Sequence, residues 1–366
     1  MDIFDAGFDN LLTRELVSDI PDSSSVFDKI NPSDIDFSDS SFVKSLKYYD
    51  AIIDLTGDAD YKDIQSAIDD SKTRIFLRNG TYKITDNINL PDGCALVGED
   101  KNGTILDFGA TDGKYIRVVG DSDAYTTGTV SISNNSTALA GSSTVWSTNV
   151  AADEWVYLGG SLYQISSVTN NTTIVLKKAY QGKALSGATY LIAAYKSNIL
   201  LENFSVINTA GSTSGQILLD YVRDSIVRNV KSKVDQLPCI QGDGAINNII
   251  RDNNFDGSFY GVRLDNSSHH NTISGNKINN CVNDAISLVG GNYNIVVNND
   301  LNNAAGDGIN IDSDYNKISQ NSVTFCNTTG IDLNGDENII VNNQLNNNTD
   351  NIDDAGTNNI IDMNLE

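Results

Sequence analysis

Histidine is nearly absent from the 366 residues: the two present, His269 and His270, are neighbours. A histidine metal cage or a Ser-His-Asp triad therefore has little to draw on. Basic residues are scarce too, 24 Lys and Arg against 48 Asp and Glu, for a net charge of −24. Nothing supplies the basic stripe that phosphates need, which argues against a nucleic-acid partner. No stretch approaches the ~18 apolar residues of a membrane span, so membrane insertion is not expected. The start, Met-Asp-Ile-Phe-Asp, lacks the basic residues and apolar run of a signal peptide.

What is present is repetition. From residue 217 to 364 the chain repeats with a period of 21 to 24 residues. One marker is Asn-x-Ile-x-x-Asn with a further apolar residue two places on. It recurs at Asn248/Ile250/Asn253/Phe255, Asn271/Ile273/Asn276/Ile278, Asn294/Val296/Asn299/Leu301, Asn316/Ile318/Asn321/Val323 and Asn338/Ile340/Asn343/Leu345, fraying at Asn359/Ile361/Asn364. A second marker, a small residue then apolar-x-apolar, falls between them at Gly261-Val262-Arg263-Leu264, Ala285-Ile286-Ser287-Leu288, Gly308-Ile309-Asn310-Ile311 and Gly330-Ile331-Asp332-Leu333. Short strands with one apolar face cannot bury that face alone but can do so by stacking on copies of themselves. Several Asn and Gly in each period exclude long helices. Asparagine recurring at one place suits turns and ladders of stacked amides. The expected fold is all-β, a right-handed parallel β-helix with about 22 residues per coil.

The Asn-x-Ile-x-x-Asn and Asp-Gly-Ile-x-Ile coils resemble the pectate-lyase-like β-helix superfamily, over most of residues 53–120 and 196–366. That resemblance implies a polysaccharide lyase, hydrolase or epimerase, or a viral tailspike. The order of a helix, a strand, Gly-Thr-Tyr, then Ala95-Leu96-Val97-Gly98 and Thr104-Ile105-Leu106 is similar to the N-terminal portion of tailspikes, where the helix caps the core. Tailspikes usually carry a further C-terminal domain, whereas this sequence runs to Leu365-Glu366 within the last coil. No Asp-Pro-His-Asp epimerase motif and no clear lyase set is present.

Four segments are expected. Residues 1–52 form an acidic lead-in or attachment segment, with fourteen acids and four bases over residues 1–60. Phe4, Phe8, Leu11 and Leu12 there have helical spacing. Residues 53–121 form the solenoid entrance: a capping helix over 60–70 with Ile64, Ala67 and Ile68 on one face, a strand at 74–77 and a tight turn at Asn79-Gly80. Residues 122–195 break the repeat with their own alternations and hold both tryptophans, Trp146 and Trp155. They read as a small inserted antiparallel β-domain, similar to those within phage tail proteins. Residues 196–366 are the coils.

Alternation along the second marker puts Leu218, Gln241, Arg263, Ser287, Asn310 and Asp332 outside. Two residues on, the outward column reads Asp220, Asp243, Asp265, Val289, Asp312, Asn334. Carboxylates stacked about 4.8 Å apart repel, so they must be partly protonated, splayed or bridged by a cation. No cofactor is expected, with a divalent cation such as calcium at this column as the alternative. The column either nucleates turns or lines a shallow polar face for an extended glycan. In the second case Asp265, Asp312 and Asp332 are the candidate catalytic residues, and Arg263, Asp243 and Asn310 bind substrate. Asp312 and Asp332, one coil and two residues apart, should have Cα atoms roughly 8 Å apart, a spacing used by inverting glycosidases. A lyase would instead need a base such as Arg263 beside a carboxylate. Trp155 and Tyr163 could stack on sugar rings, or fill a small core. Asp284 and Asp307 recur at matching positions and read as turn residues.

Beside the first marker, Ile295, Val297, Ile339 and Val341 should point outward as a β-branched patch, which usually marks an interface. Self-association, such as a homotrimer, would bury it. Cys281 and Cys326 hold matching positions two coils apart. That separation, about 10 Å, exceeds the limit of about 7 Å for a disulfide, so all four cysteines, with Cys94 and Cys239, are expected to be buried fillers.

The function expected from these features is a virion protein, tailspike-like or fibre-like and of bacteriophage type, that engages a host surface polysaccharide, with cleavage open. Residues 1–50 would meet other virion proteins, and the protein would be released without a signal peptide. A polysaccharide hydrolase or lyase of non-viral origin and a non-catalytic structural or adhesive β-helix are the alternatives.

Overall fold

The computed structural model describes residues 49–55, 59–120 and 124–365. Residues 1–48 of the 1–52 lead-in, with their helical spacing, lie outside the described residues. From Ala51 onward the chain winds through three parallel sheets in turn, one strand to each per coil. The first sheet has 11 strands, from Ala51–Ile53 to Ile360–Asp362. The second has 9, from Gly80–Lys83 to Gln344–Asn346, and the third 9, from Ile88–Asn89 to Asp350–Asp354. This is the parallel β-helix that the two markers imply.

The markers divide the work. Inward residues of the first marker fill the core from the first sheet (Ile250, Ile273, Val296, Ile318, Ile340) and from the second (Phe255, Ile278, Leu301, Val323, Leu345), all 0 % exposed. Those of the second marker fill it from the third sheet. Each such side chain is worth about 1.5–3 kcal/mol on burial, and only a neighbouring coil can supply the cover. The bend from first to second sheet is a left-handed residue, Asp252, Gly275, Asn298, Gln320 or Asn342, with φ of 57–64°.

The two asparagines of the first marker flank the first-sheet strand and form two ladders. In one, each backbone N–H donates to the side-chain oxygen of the next asparagine, from Asn248 to Asn359, at 2.7–2.9 Å. The other runs from Asn253 to Asn364 at 2.9–3.0 Å. The side-chain amides also reach main-chain carbonyls of the preceding coils, as Asn276 does to Ile250 at 2.9 Å. Buried backbone groups at the corners are thereby satisfied without water.

At the entrance the helix is shorter than its apolar spacing suggests, Ile64–Asp69, because Asp63 caps it by accepting from Ser66 N at 2.9 Å. Ile64 and Ala67 join the main core, and Ile68 packs against it. Asn79-Gly80 is not a hairpin turn. It is the corner between Arg74–Leu77 of the first sheet and Gly80–Lys83 of the second, whose neighbours are all parallel.

After Ile116–Val119 the chain leaves the solenoid for a seven-stranded antiparallel sheet built around its own core of Trp146, Val156, Leu158, Ile165, Ile174, Tyr180 and Ile192. It returns at Lys196–Ser197, which pairs with Val222–Arg223. All four cysteines are buried and free.

The expected register on the outer face of the first sheet is the observed one. Ile249, Ile295 and Ile339 are exposed, at 37–40 %, and Val297 and Val341 are half-buried beside them. Among the described residues, no helix is long and apolar enough to cross a membrane.

Candidate functional site on the third sheet

The third sheet carries the second marker, and the small residue that opens each strand sets its distance from the next coil. A Cβ on Gly308 would lie 2.1 Å from Cγ1 of Val323 and 2.6 Å from the Gly330 carbonyl oxygen. This close approach stacks the outward side chains coil on coil, in the register Gln241, Arg263, Ser287, Asn310, Asp332.

The outward face is less open than the alternation alone suggests. Ser287 is buried, and Asp265 is 9 % exposed. A chain of hydrogen bonds runs along the floor. Gln216 donates to Gln241 at 2.7 Å, Gln241 donates to Asp265 at 3.1 Å, and Nε of Arg263 donates to both oxygens of Asp265 at 2.8 and 3.1 Å. Nη1 of Arg263 reaches the Tyr260 hydroxyl at 3.2 Å, which also takes a bond from Asn283 at 2.6 Å. Burial works against the charge of Arg263, but the hydrogen bond and charge of Asp265, with Tyr260, outweigh it and raise its pKa. Arg263 thus stays a cation and is not suited to act as a base.

Beside this chain lies Asp284, 5 % exposed. It accepts the backbone N–H of Asp307 at 3.0 Å, and Asp307 in turn accepts that of Thr329 at 2.9 Å. Both therefore do the corner work expected of turn residues. Asp284 also meets the Asn310 side chain and feels the charge of Arg263. Burial pushes its pKa up to about 6, with the Asp307 charge adding to it and the hydrogen bonds and Arg263 opposing. The buried side-chain oxygen of Asn310 has no partner. A carboxyl that keeps its proton up to about pH 6, next to a fixed cation and an unanswered amide oxygen, has the makings of a general acid.

The rest of the aspartate column meets its own repulsion with amides. Asn266 donates to Asp243 at 3.3 Å. One amide of Asn334 donates to Asp312 at 2.9 Å and to Asp332 at 3.0 Å. Burial raises the pKa of Asp332 and of Asp243. It raises that of Asp220 to about 6, with help from Asp243. Among the described residues no group of three or more His, Cys, Asp or Glu side chains is placed to hold a metal ion. The amides of Asn266 and Asn334 and the guanidinium of Arg263 are what these carboxylates meet.

Of the residues singled out from sequence, Arg263, Asp265 and Asn310 stand on the floor around Asp284, Asp312 and Asp332 are joined further along, and Asp243 lies on the coil before Asp265. Trp155 and Tyr163 do not join them. The ring of Trp155 is covered by the guanidinium of Arg223 at 3.9 Å, and Tyr163 packs on Tyr180 with ring centroids 5.4 Å apart. Sequence reasoning missed Tyr260, Asn283 and Asp284 as site residues. The recurrence of Asp284 and Asp307 was the available signal, but it does not tell a corner acceptor from a buried acid.

The insert docks beside this face. Tyr157 lies flat on His269, with centroids 4.3 Å apart, and Nε2 of His270 is 2.9 Å from the Gly160 carbonyl oxygen. The stack continues from His270 through Tyr293 to Tyr315 at 5.2 Å per step. Burial, then the neighbouring His270, lowers the pKa of His269 to about 4.

The model of one protein family, described as periplasmic copper-binding protein (NosD), matches residues 166–364. No curated protein matches the chain. The solved structures similar to it include three from phages or viruses. One is ORF18 of Geobacillus virus E2, at 11 % identity over 83 % of this chain and 54 % of that one, with a TM-score of 0.55. The others are the Pseudomonas phage phi297 tailspike gp61 (13 %, 86 % and 60 %, TM-score 0.49) and the Gp54 tailspike of Acinetobacter baumannii bacteriophage AP22 in complex with A. baumannii capsular saccharide (14 %, 84 % and 57 %, TM-score 0.48). The chain spans somewhat more than half the length of each, and at 11 % identity the likeness to the Geobacillus virus protein is one of fold alone.

The described residues do not fit a copper ion. Nδ1 of His269 accepts from Asn292 N at 3.0 Å, and His270 is engaged with Gly160. Burial raises the four thiols to about 11 or 12, against the thiolate that a metal needs. Met363 is 70 % exposed on the last coil. The match runs from within the insert through the coils, over more than half of the chain, and the chain belongs to the NosD family.

Proposed function

We propose that the protein binds an extended polysaccharide along the outer face of the third sheet and hydrolyses it there, with Asp284 as the proton donor. The observation that carries this reading is the buried Asp284 carboxyl, with its pKa pushed up to about 6, beside Arg263 and the unpartnered oxygen of Asn310. The floor of Gln241, Arg263, Asp265 and Asn310 orients the sugar hydroxyls. A second carboxylate of the column, Asp332 on the coil after Asn310, would serve the attacking water. A lyase is less well supported, because Arg263 is tied to Asp265 and keeps its proton.

A place on a virion, with the substrate a host surface glycan and residues 1–52 turned to other virion proteins, is the setting we propose from the sequence resemblance. Self-association over Ile249, Ile295 and Ile339, as in a homotrimer, would cover that exposed stripe, and sedimentation measures it. The main test is incubation with bacterial capsular and O-antigen polysaccharides, following new reducing ends and unsaturated uronate absorbance. Hydrolysis by the wild type that is lost in Asp284→Asn supports the reading. Unsaturated products would replace it with a lyase, and retention of full activity in Asp284→Asn would remove Asp284 from the chemistry.

A further inference from the structure

The outer face of the second sheet carries a groove of about 420 Å³ lined by Asn254, Asp256, Lys277, Asn279, Asn280 and Asn302. Nearly all asparagines of the coils have structural work. Some form the two corner ladders, and others sit at left-handed corners, where Asn280 donates to Asp256 at 2.6 Å and Asn303 to Asn280 at 2.7 Å. Asn254, Asn279 and Asn302 do neither. They lie within strands, where asparagine is disfavoured, half-buried, and their side chains have no hydrogen-bond partner among the described residues.

Strand register extends the array. Asn279 is followed coil by coil by Asn302, Thr324 and Asn346, whose side chains are equally unengaged. Four coils at about 4.8 Å give a straight row roughly 14 Å long. Its one cation is paired, Lys277 lying 3.8 Å from Asp300, and Asp256 accepts a hydrogen bond from the neutral Asn280 amide. No aromatic ring lines the groove.

We propose that this groove is a second binding site, for an extended, neutral, polyhydroxylated ligand, a neutral oligosaccharide. Each free amide offers an NH2 donor group and a carbonyl acceptor to neighbouring hydroxyls, and the groove holds no unpaired cation to attract an anion. The net charge of −24 opposes an anionic polymer. The site does not depend on Asp284 or on the face of the third sheet.

The test uses the full chain with maltohexaose, cellohexaose, laminarihexaose and chitohexaose as probes, titrated by calorimetry. At least one hexasaccharide should bind the wild type. Its Kd should rise about tenfold or more in Asn279→Ala/Asn302→Ala and stay unchanged in Asp284→Asn. The single variant Asn346→Ala, on a different coil, should weaken binding less and guards against misfolding of the double variant. Failure of all four probes to bind would overturn the proposal, as would affinity that falls in Asp284→Asn but not in the amide variants. Neither result would bear on hydrolysis at the third sheet, which is read by product formation.

Discussion

Nε of Arg263 donates to both oxygens of Asp265, two residues further along the same strand, at 2.8 and 3.1 Å. Two residues apart on a strand, side chains share a face, so this pair is local. Its surroundings are not: Tyr260, Gln241 and Asp284 reach it from a corner and from the coils on either side.

Replacing Arg263 by Met should leave the nearly buried Asp265 carboxylate with Gln241 alone. We expect a stability loss of about 1–3 kcal/mol at pH 7, below that for a fully buried pair because Arg263 is one-third exposed. Urea unfolding of the two proteins at pH 7 checks it.

The two classes of asparagine should respond differently to mutation. Asn299 accepts from Asn276 through both its backbone and its side chain and donates to Ile273 and Asn321, all within 3.0 Å. Asn299→Ala strands several buried groups and should cost about 3–5 kcal/mol. Asn302→Ala, three residues on, should change stability by less than about 0.5 kcal/mol. Paired denaturation curves measure the contrast.

The folded pKa of Asp284, raised to about 6, has a definite sign. Its contribution is fully favourable below the unfolded value of 3.8 and is lost as pH rises through 6. Asp284→Asn should therefore match the wild type near pH 4 and exceed it at pH 8 by on the order of 3 kcal/mol, while losing hydrolytic activity. Thermal unfolding across that range, beside the product assay, reads both.

His269 has the opposite sign. Its folded pKa lies near 4 against 6.5 unfolded, so its contribution is complete above about 6.5 and declines as pH falls to 4. The decline should total on the order of 3 kcal/mol and should loosen the contact with Tyr157. In His269→Phe, tryptophan and tyrosine fluorescence should lose this pH dependence, whatever its absolute stability.

Much of the fold was legible from the two markers because a solenoid repeats its local rules: Ile250 and Phe255 face inward for the same reason as Ile340 and Leu345. The helix bounds were not, since Asp63 captures Ser66 N and starts the helix later than its apolar spacing implies. In the site, Arg263, Asp265 and Asn310 could be listed as outward residues, but the role of Asp284 could not, because a corner acceptor and a buried acid leave the same trace in sequence.

The sequence by itself determined the coil period, the inward residues, the asparagine ladders and the outward register of Ile295 and Ile339, since each follows from the alternation of a strand and the stacking of equal units. The tertiary structure alone decided which outward groups are exposed and which meet. Asp284 and Asn310 lie a coil apart in the chain, Trp155 is closed by Arg223 across the insert, and Ser287 is outward yet buried. These outcomes depend on how side chains from successive coils and from the insert cover one another, a property of the packed solid and not of any one repeat.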